Sequence, residues 1–126
     1  MTSGETETDM AGAAELLERM LQDVFNEADA ERRSAVIDDL FSEDVVFTDP
    51  EMTVTGRTEL AAAITGLLAQ GPGFVFTPAG DFRGVGSLGL RAWRLGPPGA
   101  DPVLGGTDVV EVVDGKIAKL WTMLDS

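Results

Sequence analysis

The chain has no cysteine, no histidine and no tyrosine. Without cysteine there can be no disulfide, no thiolate metal site and no thiol nucleophile. Without histidine and tyrosine the usual general base, the commonest metal ligand and the phenolic hydrogen-bond donor are also gone. Proton chemistry in this protein falls to carboxylates, arginine, lysine or water, and neither a metal centre nor a cofactor is expected. Basic residues are few as well, nine Lys and Arg against 22 Asp and Glu, for a net charge of -13. Of these acids 15 lie in residues 1–51 with only three bases, so the excess belongs to the N-terminal part. Such a surface repels phosphate backbones and carries no basic stripe, which argues against nucleic-acid binding. No apolar run approaches the ~20 residues of a spanning helix, and the MTSGETETD start lacks the basic and apolar regions of a signal peptide. A cytoplasmic protein without membrane attachment is the expectation.

What the sequence does contain is enough apolar residue for one domain of 126 residues to bury a core without staples. Residues 1–9 read as a disordered acidic tail, and residues 10–126 as the folded domain. Three helices are predicted, over about 10–28, 30–41 and 57–69, from apolar spacing of three and four. The first turns Leu17, Met20, Leu21, Val24, Phe25 and Ala28 inward; the second turns Val36, Ile37, Leu40 and Phe41, with Arg32 and Arg33 on a solvated face. From Phe74 the period changes to two. Strands are predicted from there past Pro78-Ala79-Gly80 to Phe82, then over 85–95, 103–113 and 116–124, with Asp114-Gly115 as a tight hairpin turn. The fold class is α+β, helices laid on one side of a curved antiparallel sheet.

Two carboxylates stand out. In DVVFTDP, Val45, Phe47 and Asp49 share one face of a strand that Pro50 terminates. Asp49 is either a turn-initiating residue or a base in dry surroundings. On the strand 103–113, Leu104, Asp108, Val110 and Val112 share a face, so Asp108 is an acid among aliphatics whose pKa should rise. It is otherwise a structural partner of Arg91 or Arg94. Arg91 and Trp93 point the same way and could wall a ligand, the one as a donor fork and the other as a broad plate. Trp121 shares its face with Ile117 and Met123 and reads as core, interface or ligand contact.

LFSEDVVFTDP, TGRTEL, RAWRLG, GGTDVVEVVDGKI and WTMLD, in that order, resemble the SnoaL-like branch of the nuclear transport factor 2 superfamily. The resemblance implies a cone-shaped domain, a homodimer paired through the outer sheet face, and a hydrophobic small-molecule ligand. The superfamily includes isomerases, cyclases, hydrolases and binding proteins. In the comparison with the superfamily's ketosteroid isomerases, Asp49 matches the catalytic base and Asp108 the neutral acid of the oxyanion hole. The tyrosine of those enzymes falls near Met20 or Leu21 here. The implied activity is cofactor-free proton transfer, an isomerisation or aldol-type cyclisation of a hydrophobic carbonyl or polyketide-like compound. Asp49 and Asp108 would be catalytic, with Arg91, Trp93, Phe47 and Trp121 binding substrate. The alternatives are a non-catalytic binding or dimerisation module, and an epoxide hydrolase of the limonene type, whose final-strand acid falls at Thr122.

Overall fold

A computed structural model describes residues 12–125, so the predicted tail and the start of the first helix lie outside the described residues. Helix α1 occupies 12–25, and its last stretch, Met20–Phe25, is wound wide as a π-helix. Its final turn closes with the Asn26 N–H donating to the Leu21 carbonyl five residues back, at 3.0 Å. The predicted stripe Leu17, Met20, Leu21, Val24 and Phe25 is buried. Ala28 is exposed, because the helix has already ended at Asn26. The Asn26 side chain then reaches strand β3 (Val75–Val85), donating to the Phe76 carbonyl at 2.8 Å and accepting the Phe76 N–H at 2.7 Å.

Helix α2 (Ala30–Leu40) begins at Asp29, whose carboxylate accepts the N–H groups of Glu31 and Arg32, a cap of the kind that stabilises by ~1 kcal/mol. At its other end Lys116 donates to the carbonyls of Asp38 and Asp39, and Arg57 grips the Phe41 carbonyl with two N–H groups at 2.8 and 3.0 Å. Cations there satisfy orphan carbonyls and oppose the negative end of the helix dipole. Arg33 departs from the expected solvated face. It is 4% exposed and donates to the Glu27 carbonyl and to Thr65 Oγ1, which ties α2 to α3 (Arg57–Ala69).

The strands are β1 (Phe41–Thr48), β2 (Thr53–Thr55), β3, β4 (Leu88–Gly96), β5 (Leu104–Val113) and β6 (Lys116–Leu124), in the spatial order β2-β1-β6-β5-β4-β3. The predicted four-strand meander is present, and the α+β architecture is a curved, unclosed sheet with the helices packed against it. The sheet is mixed and not wholly antiparallel, because β1 runs parallel to β6. The predicted strand over 85–95 divides at a two-residue turn, Gly86-Ser87, so Val85 ends β3. Leu40, Phe41, Val45, Leu60, Ile64 and Leu120 are among the residues fully buried between helices and sheet.

The pairing register shifts at three places: between Phe41 and Val46, between Ala79 and Arg83, and opposite Ala118, where Val112 pairs with Ile117 but Glu111 pairs with Lys119. An extra residue bends a strand and exchanges its two faces beyond that point. The third shift overturns the predicted face of β6. Ile117 points inward with Leu120, whereas Lys119, Trp121 and Met123 point outward. It also accounts for the direction of Lys119, which lies opposite Glu111 on the outer face. No helix among the described residues is long and apolar enough to cross a membrane.

Candidate functional site

Between the sheet and the ends of α1 and α3 lies a cavity of about 370 Å³. Its walls are mostly aromatic and aliphatic, with Phe25 from α1, Phe47 from β1, Phe76 from β3, and Trp93 and Leu95 from β4. Phe76 packs edge-on against both Phe25 and Trp93, with ring centres 5.4 and 5.1 Å apart, which holds the wall in a preferred aromatic geometry. Phe74, Val103, Leu104 and Leu124 also line it but are substantially exposed, and they form its rim.

Asp108 enters this cavity because the two-residue period of β5 turns Gly106, Asp108 and Val110 to the same side. It is 5% exposed. Burial pushes its carboxyl up from 3.8 to about 6, and the Thr122 hydroxyl and the nearby Trp93 indole N–H pull it partly back. The Thr122 hydroxyl, directly across β5 and β6, donates to Asp108 Oδ1 at 2.7 Å. The Trp93 Nε1 is buried and meets no hydrogen-bond geometry with any acceptor among the described residues. Its N–H therefore acts on Asp108 as a nearby dipole and not as a formed bond. Trp93 can lie there because its cross-strand neighbour is Gly106: a Cβ at that position would stand 2.5 Å from Trp93 Cζ2.

Asp49 lines the same cavity, half-buried next to the exposed Pro50 and Glu51. Its Oδ1 accepts the N–H groups of Glu51 and Met52, both at 2.9 Å, while its own N–H donates to the Met52 carbonyl. Asp49 is thus a turn-building residue that also lines the cavity, and its half-buried place beside exposed residues is not the dry setting that the other reading required. The cationic side chains stay away from the lining, whose titratable members are Asp49, Glu51 and Asp108.

Of the residues predicted to bind substrate, Phe47 and Trp93 line the cavity and two others do not. Arg91 lies opposite Asp108 in the β4–β5 register, yet its guanidinium turns to Glu18 of α1 at 3.1 Å and to the Gly80 carbonyl at 3.4 Å. It bounds a minor crevice with Leu17, Leu21 and Asp108 instead of walling the main cavity. Trp121 sits on the outer face opposite Val109, as the shift at Ala118 requires. Sequence reasoning missed Phe76 and the rim residue Leu124, and reached Thr122 only as the position where the resemblance puts a hydrolase acid. Counting the β6 alternation back from its end, and not forward from Ile117, is what brings Thr122 onto the face of Asp108. Met20, near the position of the isomerase tyrosine, is sealed in the core, and Leu21 borders only the crevice.

A family model described as SnoaL-like domain matches residues 17–120. A crystal structure from Agrobacterium tumefaciens, provisionally named an isomerase of the SnoaL-like family, is 32% identical, with a TM-score of 0.85 over 92% of this chain and 99% of that one. Two more distant structures share the fold. One, from Kribbella flavida and provisionally named a ketosteroid isomerase, has 22% identity and a TM-score of 0.69 over 97% of this chain and 81% of that one. The other, from Jannaschia sp. CCS1 and provisionally named a SnoaL-like polyketide cyclase, has 13% identity and a TM-score of 0.74 over 94% and 86%. No curated protein matches the chain.

Proposed function

This chain belongs to the SnoaL-like domain family, and from that premise we propose that it is a small cofactor-independent enzyme moving a proton on an apolar, uncharged carbonyl compound. The observation that carries this reading is the pair of carboxylates, Asp49 and Asp108, lining one apolar cavity. A group of titratable residues that is wholly acidic disfavours an anionic ligand, and the aromatic walls favour a flat apolar body. Asp49 takes a proton from the carbon next to the carbonyl. Asp108, in its protonated form, donates to the carbonyl oxygen as negative charge develops there. With a pKa of about 6, roughly one tenth of Asp108 carries its proton at pH 7, so turnover falls as pH rises beyond that value.

The test is hydrogen–deuterium exchange at the activated carbon of 2-tetralone, followed by proton NMR in deuterated buffer. Wild type should exceed buffer, and Asp49→Asn should lose on the order of 10²- to 10⁴-fold in rate while keeping its fold. An unchanged rate in that variant ends the proton-transfer reading. The second reading, a binding protein without turnover, draws on the commitment of Asp49 Oδ1 to its turn. It predicts that 2-tetralone raises the melting temperature without any exchange.

A further inference from the structure

Trp93 carries a buried N–H that lies near enough to Asp108 to favour its charged form yet forms no hydrogen bond of full geometry among the described residues. The side chain is 5% exposed, its Nε1 has no acceptor among the described residues, and it lines the cavity beside Asp108. A buried N–H left unpaired costs about 1–3 kcal/mol, and buried donors are nearly always satisfied. The indole is also held firmly. Its six-membered ring is seated over Gly106, and Phe76 packs edge-on at 5.1 Å. A fixed donor, already stripped of water, is the arrangement that binds an oxygen without reorganising. Elsewhere in the chain there is no phenol or imidazole to supply a second neutral donor, and the guanidinium of Arg91 is turned away to Glu18.

We infer that the Trp93 indole N–H is the second hydrogen-bond donor to the ligand's carbonyl oxygen, alongside Asp108. The ligand oxygen sits between Nε1 and the Asp108 carboxyl and takes the two donors that phenol and acid supply in a site containing tyrosine. The inference rests on the proposal of a carbonyl ligand but not on any turnover. It makes the site selective for molecules with an acceptor at the buried end, over hydrocarbons of the same shape.

The experiment compares 2-acetylnaphthalene with 2-isopropenylnaphthalene, which replaces the carbonyl oxygen by a methylene. Affinities are measured by calorimetry for wild type and for Trp93→Phe, which keeps an aromatic plate but loses the N–H. The ketone should weaken on the order of tenfold in the variant and the alkene by less than twofold. Equal weakening of both would assign Trp93 to packing alone, and a wild type that binds the alkene as well as the ketone, or binds neither, would overturn the donor role. A second measurement needs no change at Trp93. In Trp121→Phe protein labelled with ¹⁵N one indole signal remains, and the ketone should move it downfield while the alkene leaves it near its free position. A signal that follows only the titration of Asp108 and ignores the ketone would make the N–H a support for that carboxyl, overturning the inference. Ketone binding with the predicted Trp93 response but no deuterium exchange would remove the catalytic proposal and leave this one standing.

Discussion

Asp49 and Asp108 reach one cavity from regions built in opposite ways. Asp49 stands at the end of a strand in a turn of its own making, half-buried, with two backbone N–H groups on one oxygen. Asp108 stands in the middle of a strand, with a strand on either side, an aromatic ring nearby and a single hydroxyl on one oxygen. Backbone donors and water stabilise a charged carboxylate; a dry wall penalises it. The same side chain therefore stands in two unlike settings, and the difference lies in what surrounds each group.

The sharpest test of that contrast is the dependence of stability on pH. The folded-state pKa of Asp108, about 6, lies above its unfolded value of 3.8, so between those values the native protein holds more protons than the unfolded chain. Its stabilising contribution is complete below pH 3.8, is lost as pH rises to about 6, and stays lost above. The whole swing corresponds to about 3 kcal/mol. Asp108→Asn should therefore gain on wild type by about that amount between pH 3.8 and pH 7, read from urea unfolding at each pH. A constant gap would place Asp108 in water and erase the contrast.

A smaller effect is expected from the seat beneath the indole. Gly106→Ala sets a Cβ 2.5 Å from both Trp93 Cζ2 and the Met123 carbonyl. It should cost about 2 kcal/mol of stability by overpacking and quench or shift Trp93 fluorescence as the ring is displaced. An unperturbed spectrum would mean that the Asp108 wall is softer than described. The smallest effect belongs to the turn. Asp49→Ala should lose about 1 kcal/mol with the two hydrogen bonds from Glu51 and Met52, whereas Asp49→Asn keeps an acceptor and should lose less, measured as a difference in melting temperature. Equal losses would mean that charge, and not the turn, holds this region.

The fold was legible because its elements are long and periodic. The 57–69 helix has its predicted ends, and two-residue alternation placed both Asp49 and Asp108 on inward faces. What failed depends on partners far along the chain. An extra residue at Ala118 answers the packing of β5 and carries no local signal, yet it exchanged the faces of Trp121 and Thr122. Arg91 was placed on the correct face, but Glu18, 73 residues away, takes its guanidinium. Arg33 looked like any surface arginine until Thr65 and the Glu27 carbonyl enclosed it.

Strand β3 ends the sheet, and such a border offers its free backbone groups to any passing polypeptide. At Phe76 the Asn26 amide already occupies both of them. One side chain thus counterfeits a seventh strand for the length of a single residue, and an intruder zipping along this border must first evict it. A wide last turn in a helix, which looks like a local irregularity, in this way helps to guard against runaway polymerisation.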